Sequence, residues 1–184
     1  MFEKLITRIA AVMSSHQIPY MIIGGQAVLL YGVPRMTKDI DITLGMDIGG
    51  LDKVLEAVKN IGLRVLPGDF RGFVEQTSVL PTLDGTTGIR VDLIFSFTPY
   101  ERQAIARAKT VALLETGVTF ASVEDVVIHK IFAGRPRDLE DVRSMIIKNP
   151  HFDVKYVRTW LKEFDRSQEG RNFLKAFEKV HRQA

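Results

Sequence analysis

The sequence predicts an α/β half followed by a helical half, with the seam near residue 121. Three observations carry this. Short apolar or alternating runs at 20–25, 37–44, 63–66 and 89–95 are interleaved with helical patterns. From Ser122 onward only helical spacing is left. The length, 184 residues, is that of one domain, or one domain with a small appendage. A chain of this size buries about 70% of its unfolded surface, so it needs no staples to hold a core.

Each element follows from local pattern. Residues 2–15 place Phe2, Leu5, Ile9 and Val12 at helical spacing. After Pro19, the run YMIIGG (20–25) is apolar and closed by two glycines, a buried strand running into a turn. QAVLLYG then suits a short helix stopped by Gly32 and Pro34. TKDIDITL (37–44) alternates polar and apolar, the period of a strand. LDKVLEAVKNIG (51–62) is a helix with Gly62 at its C-terminal end. LRVL (63–66) predicts another strand. Residues 70–88 are Gly- and Thr-rich and carry one readable signal, a hairpin around LDGTTG. IRVDLIF (89–95) is a strand with one acid inside it, and 99–108 is helical. TVALLETGVTF predicts a strand pair around Gly117. Helices then cover 122–133, 136–148, 153–165 and 170–182. Ser122 with Asp125 resembles an N-terminal cap, and Pro136 suits a first helical turn.

Composition excludes several classes. Hydrophobic residues are 46% and charged residues 26%, the balance of a soluble globular protein. With no cysteine there is no disulfide scaffold, thiol nucleophile or cysteine-ligated zinc. No apolar run reaches the roughly 18 residues a membrane span needs, so no membrane partner is expected. The first residues carry an acid and two bases without a cleavage-site pattern. They predict no signal peptide, and the expected location is cytoplasmic. The net charge is +3, and all of it lies in residues 151–184, which hold 8 bases and 5 acids. A basic helical tail is either a solvated face or an attractor of phosphate backbones.

The informative stretch is YMIIGGQAVLLYGVPRMTKDIDITL (20–44). Gly24 and Gly25 sit between a strand and a helix. They form either a plain tight turn or a phosphate cradle, where the backbone approaches closely and helix N–H groups face the anion. Asp39 and Asp41 leave the same face of a strand, with Ile40 and Ile42 on the other. Two such carboxylates are either a solvated acidic face or a site for a cation, for which Mg²⁺ is the natural candidate. Asp92 lies between Val91 and Leu93. It either faces outward, as the alternation Ile89, Val91, Leu93, Phe95 permits, or is buried and paired. Taken together, a Gly-Gly turn, an Asp-x-Asp pair and a third Asp on a later strand form a two-metal arrangement for phosphoryl transfer.

GGQA, then RMTKDIDI, then VDLIF resembles the polymerase-beta-like nucleotidyltransferase superfamily. VEDVVIHKIFAGRPRDLEDV (123–142) is similar to the Lys and Asp motifs of its AbiEii-type subgroup, whose founding members are toxins of abortive-infection systems. The resemblance spans roughly residues 18–147. It implies a nucleotidyltransferase fold, an α/β (α+β) mixed sheet flanked by helices. The core would occupy residues 1–121, and a C-terminal helical region, 122–184, would complete the active site. It implies that Gly24 and Gly25 cradle a nucleoside triphosphate. Asp39, Asp41 and Asp92 would bind metal, two Mg²⁺ ions, with the role of base also open to Asp92. Lys130 would contact phosphate and Asp138 would lie beside it. Gly25 stands where serine is common, which removes a hydroxyl contact.

The flanking residues are weighed beside this. Arg35 and Thr37 share strand parity with the two acids and line the same site if the strand begins early. Arg35 otherwise pairs locally. Lys130 lies on an apolar stripe and either snorkels or points into a site. Asp138 in a first helical turn is favoured by the helix dipole in any case. Arg135 and Arg137 flank it, within reach of nucleotide or acceptor. His129 reads as a surface or packed histidine, and Trp160, Leu161 and Phe164 as core. The expected activity is Mg²⁺-dependent transfer of a nucleotidyl group to an acceptor hydroxyl. The acceptor would be tRNA or protein, with an aminoglycoside-like small molecule also open. A cognate antitoxin is the implied partner. The alternatives are a non-catalytic nucleotide- or RNA-binding module and a kinase-like transfer of the γ-phosphate.

Overall fold

The computed structural model describes residues 1–66, 68–96, 98–168 and 170–184. The chain runs α1 (Phe2–Ser15), β1 (Tyr20–Ile23), α2 (Gly24–Tyr31), β2 (Asp39–Leu44), α3 (Leu51–Ile61), β3 (Leu63–Val65) and α4 (Phe70–Thr77). It continues through β4 (Val79–Asp84), β5 (Arg90–Phe95), α5 (Pro99–Arg107), β6 (Lys109–Leu113) and β7 (Thr116–Phe120). Four helices close it: α6 (Val123–Ala133), α7 (Pro136–Lys148), α8 (Val154–Ser167) and α9 (Phe173–His181).

The seven strands form one mixed sheet in the order β3-β4-β5-β2-β1-β7-β6. β2 pairs with β5 in parallel, and β1 with β7 in parallel at Ile22↔Phe120. The remaining pairings are antiparallel. β1 is buried along its whole length, as an unbroken apolar run in mid-sheet must be. β2 and β5 instead alternate: Ile40, Ile42, Val91 and Leu93 are fully buried, which turns Asp39, Asp41 and Asp92 to the other face. One apolar core takes residues from α1 through α9, so the helical segment packs onto the α/β segment.

Most expected elements form, with four corrections. The strand expected over 37–44 begins at Asp39, because 33–38 is an irregular loop. Residues 70–77 make a helix, α4, that the Gly-containing sequence concealed; Asp69 caps it by accepting the Gly72 N–H. The hairpin around LDGTTG forms, with Asp84 accepting from the Thr87 N–H and hydroxyl. The later strand pair turns at Leu114 and Glu115, both with positive φ, and not at Gly117, which lies opposite Ala112 in the ladder. The last helix starts at Phe173, where the Asp165 carboxylate accepts the N–H groups of Phe173 and Leu174. Ser122 caps α6 and Pro136 opens α7 as expected.

Candidate active site

The site starts at the end of β1. Gly24 has φ +64°, in the left-handed region, and a Cβ there would overlap the Asp41 carboxylate. Glycine is therefore required by backbone and by contact. Gly25 is required differently: a Cβ would stand 2.6 Å from Thr37 Oγ1. The hydroxyl of Thr37 thus occupies the place into which a serine at 25 would project. It donates to the Asp39 carbonyl at 3.1 Å and approaches Asp39 Oδ1 at 3.3 Å.

Parallel register sets Asp41 directly opposite Asp92, and Asp39 opposite Arg90. Asp92 does face away from the core, and the face it shares with Asp39 and Asp41 is the floor of the site. Arg90 holds Asp92 Oδ1 at 2.7 Å. Asp41 has no such partner: burial, then the charges of Asp39 and Asp92, push its pKa up to about 6.

Opposite the acids stands a chain of alternating charges. Lys130 is 6% exposed and does not snorkel. Its Nζ lies 2.7 Å from Asp138 Oδ1 and 3.0 Å from Asp141 Oδ2. Arg135 grips Asp138 through Nε at 2.6 Å. Arg35 makes a two-pronged pair with Asp141, Nε to Oδ1 at 2.8 Å and the second nitrogen to Oδ2 at 2.7 Å. Arg35 thus pairs with a residue far along the chain and not locally, and it reaches the site from the 33–38 loop and not by strand parity. Burial raises the carboxyls of Asp138 and Asp141, but their cationic partners outweigh it and hold both below the usual range.

Gly24, Gly25, Arg35, Thr37, Asp39, Asp41, Asp92, Lys130 and Asp138 all line one cavity of about 660 Å³. Met36, Lys38, Arg135 and Arg137 line it too. Sequence reasoning missed Asp141. Its signal was its place three residues after Asp138, one helical turn along the same face. His129 is packed, as expected, with its ring centroid 5.7 Å from that of Tyr100.

Among the described residues, no three His, Asp or Glu side chains are already gathered as a metal ligand set. The donor chemistry nevertheless suits a divalent cation. Three carboxylates share one wall of the cavity, and the charges of Lys130 and Arg135 only partly offset what burial, Asp39 and Asp92 impose on Asp41. Asp92 would exchange Arg90 for the ion.

Comparison with known proteins agrees with the fold. The chain is similar in fold to the antibiotic-resistance factor ANT(2'')-Ia, with a TM-score of 0.62, 18% identity, and 99% of this chain and 97% of that one covered. It is similar to a nucleotidyltransferase-like protein of Paracoccidioides brasiliensis, with a TM-score of 0.57, 17% identity, and coverage of 96% and 91%. It is also similar to the lincosamide antibiotic adenylyltransferase LnuA, with a TM-score of 0.54, 17% identity, and coverage of 77% and 94%. In sequence it is 34% identical over 111 residues to glucose-6-phosphate isomerases of Mycolicibacterium smegmatis and Mycolicibacterium gilvum. That match takes in 60% of this chain, and the aligned stretch spans only a fifth of each isomerase, too little to carry isomerase chemistry across. Residues 10–183 match the family described as nucleotidyl transferase AbiEii toxin, type IV TA system. The chain therefore belongs to the AbiEii nucleotidyltransferase family.

Proposed function

We propose that the chain moves a nucleotidyl group from a Mg²⁺-bound nucleoside triphosphate to an acceptor hydroxyl on RNA or protein. One observation carries the reading: Asp39, Asp41 and Asp92 share a single cavity with the Gly24–Gly25 turn and Lys130. The start of α2 offers backbone N–H groups to the triphosphate. Lys38, Lys130, Arg135 and Arg137 supply positive charge on the facing wall. Lys130 and Arg135 come from α6 and its junction with α7, so in this reading residues 122–184 complete a site that the core at 1–121 begins.

The acceptor oxygen attacks the α-phosphorus, and the bond to the bridging oxygen of the β-phosphate breaks. Pyrophosphate leaves with the bonding pair. The acceptor proton passes to a carboxylate, for which Asp92 is assigned. Before the ion binds, Arg90 fixes one of its oxygens and so its orientation. Mg²⁺ held by Asp39, Asp41 and Asp92 would neutralise the phosphates and acidify the attacking hydroxyl.

The family description, a toxin of a type IV system, supports a cellular macromolecule as target and an antitoxin as partner. The charge excess in residues 151–184 favours tRNA over protein. The solved neighbours point another way, to drugs: ANT(2'')-Ia is known with adenylyl-2''-tobramycin, and LnuA with lincomycin. The test incubates the protein with Mg²⁺, lysate and each nucleoside triphosphate, α-labelled and in parallel γ-labelled, beside an Asp39→Ala, Asp41→Ala double variant. Label that needs both acids and is lost to RNase is the expected result. Loss to protease names a protein acceptor. Label lost to neither names a small molecule. Label carried only from the γ-position, or binding without any transfer, overturns nucleotidyl transfer.

A further inference from the structure

A second cavity, of about 620 Å³, lies between α5, α6 and α8. It is distinct from the carboxylate cavity and nothing above uses it. Tyr100, Phe132, Trp160 and Phe164 line it, with His129 among them. The rings brace one another. Tyr100 meets Trp160 and Phe164 edge-on, each at 5.1 Å between centroids, and Phe132 meets Phe164 at 5.8 Å. Phe132 is 43% exposed, a large apolar side chain open to whatever enters.

Among the described residues, the wall also holds two enclosed polar atoms without a hydrogen-bond partner, the Tyr100 hydroxyl and His129 Nε2. Burial pushes the His129 pKa down to about 4, so the ring is neutral at physiological pH, with one nitrogen to donate and one to accept. A buried unpaired nitrogen is costly unless a ligand edge completes it. The lip carries Glu101 and Glu163. Glu101 already accepts from the Thr98 N–H and Glu163 pairs with Arg166, and a carboxylate oxygen of either can also accept from ring or exocyclic N–H groups. Finally, His129 also lines a smaller cavity of about 230 Å³ with Gly24, Asp41 and Lys130. His129 thus borders both the aromatic cavity and the smaller cavity that reaches Asp41.

Aromatic walls, polar atoms to satisfy, acceptor carboxylates at the mouth and a residue shared with the cavity that reaches Asp41 fit one ligand chemistry. We propose that this cavity binds a nucleobase, with the attached sugar running past His129 toward Asp41. The proposal rests on the nucleotidyl-transfer reading for the identity of the ring. The base belongs either to the donor triphosphate or to an unpaired end of an acceptor RNA.

Trp160 is the chain's only tryptophan, so its emission reports on this cavity alone. The intact protein is titrated with adenosine, cytidine, guanosine and uridine, without metal, and then with a non-hydrolysable triphosphate plus Mg²⁺ and with short single-stranded RNA. We expect saturable change in Trp160 emission with at least one nucleoside, and a shift of the His129 ring nitrogens in NMR at the same concentrations. Phe132→Ala should weaken that nucleoside by about 5- to 100-fold. The wild-type His129 shift stands as evidence even if that variant misfolds. A triphosphate that displaces the nucleoside assigns the cavity to the donor; simultaneous binding, with displacement by RNA, assigns it to the acceptor. Silence of Trp160 and His129 toward every probe overturns the proposal, as does unaltered affinity in a folded Phe132→Ala. Label transfer with a silent Trp160 sinks only this proposal. Nucleoside binding without label transfer sinks only the function above.

Discussion

Asp41 is a carboxylate placed where ionisation is opposed by burial and by two neighbouring acids. Its pKa near 6 lies above the ordinary aspartate value of 3.8. The ionised form therefore works against folding at neutral pH, and the penalty fades as pH falls toward 4. Asp41→Asn should raise the stability of the metal-free protein by about 1–3 kcal/mol at pH 7.5, read as a higher Tm, while abolishing transfer. Mg²⁺ should raise the wild-type Tm clearly and the variant's little. A second residue-scale expectation concerns Gly25 and Thr37. Gly25→Ser alone should lose activity about tenfold or more, because its Cβ meets Thr37 at 2.6 Å. Adding Thr37→Ala should restore part of it, measured as a double-mutant cycle in kcat/KM. The three acids were legible because strand alternation alone sends Asp39, Asp41 and Asp92 to one face. The Gly25–Thr37 contact was not, because it joins a helix start to a loop whose path no local pattern sets.

At the scale of elements, α7 acts as a strap over the loop that follows α2. Arg35 is paired to Asp141, the Ser144 hydroxyl accepts the Val33 N–H at 3.3 Å, and Lys148 donates to the Gly32 carbonyl at 2.8 Å. The loop delivers Arg35, Met36, Thr37 and Lys38 to the cavity. Asp141→Asn keeps the shape but removes the charge shared by Arg35 and Lys130. We expect a higher KM for triphosphate with a smaller fall in kcat, and about 1–3 kcal/mol of lost stability. Faster proteolysis within 33–38 would accompany it; an unchanged KM with a lower kcat would contradict the strap. Helices with clean caps, such as α6 behind Ser122, were readable. α4 was not: its eight residues hold Gly72, and its cap, Asp69, looks like one more turn residue. The turn at Leu114 and Glu115 was also hidden, since both are non-glycine residues with positive φ, and Gly117 drew attention away from it.

Across the whole molecule two buried titrating groups oppose each other. His129 has its pKa lowered from 6.5 to about 4, so its neutral burial favours folding above pH 6.5 and that advantage is lost as pH falls through this window, by about 3 kcal/mol. Asp41 gains over nearly the same interval. The wild-type Tm should therefore vary little between pH 6.5 and 4, while Asp41→Asn declines steadily on acidification and His129→Phe rises. Parallel curves for all three proteins would refute this. Below about pH 4, Asp138 and Asp141 lose the stability their depressed pKa values supply, and all three proteins should weaken. Neither compensation is visible in the sequence, because it depends on which side chains the fold encloses. The order of strands interleaved with helices and then helices alone was visible, because period-2 patterns end near residue 121 and only helical spacing follows.

The join between β1 and β7 is narrow. It rests on the Ile22↔Phe120 pair, the Ala121 N–H to the Ile22 carbonyl at 3.0 Å, and the Thr119 N–H to the Tyr20 hydroxyl at 3.2 Å. The β6–β7 ribbon beyond it is bonded chiefly to itself, whereas β2 and β5 are laddered along six residues each. Amide protons of the ribbon should consequently exchange with deuterium as a separate, faster group, detaching without opening the five strands that carry the acids. The acid-bearing floor would then outlast the edge of its own sheet, and the protein would loosen first at a place where loosening leaves the acids aligned.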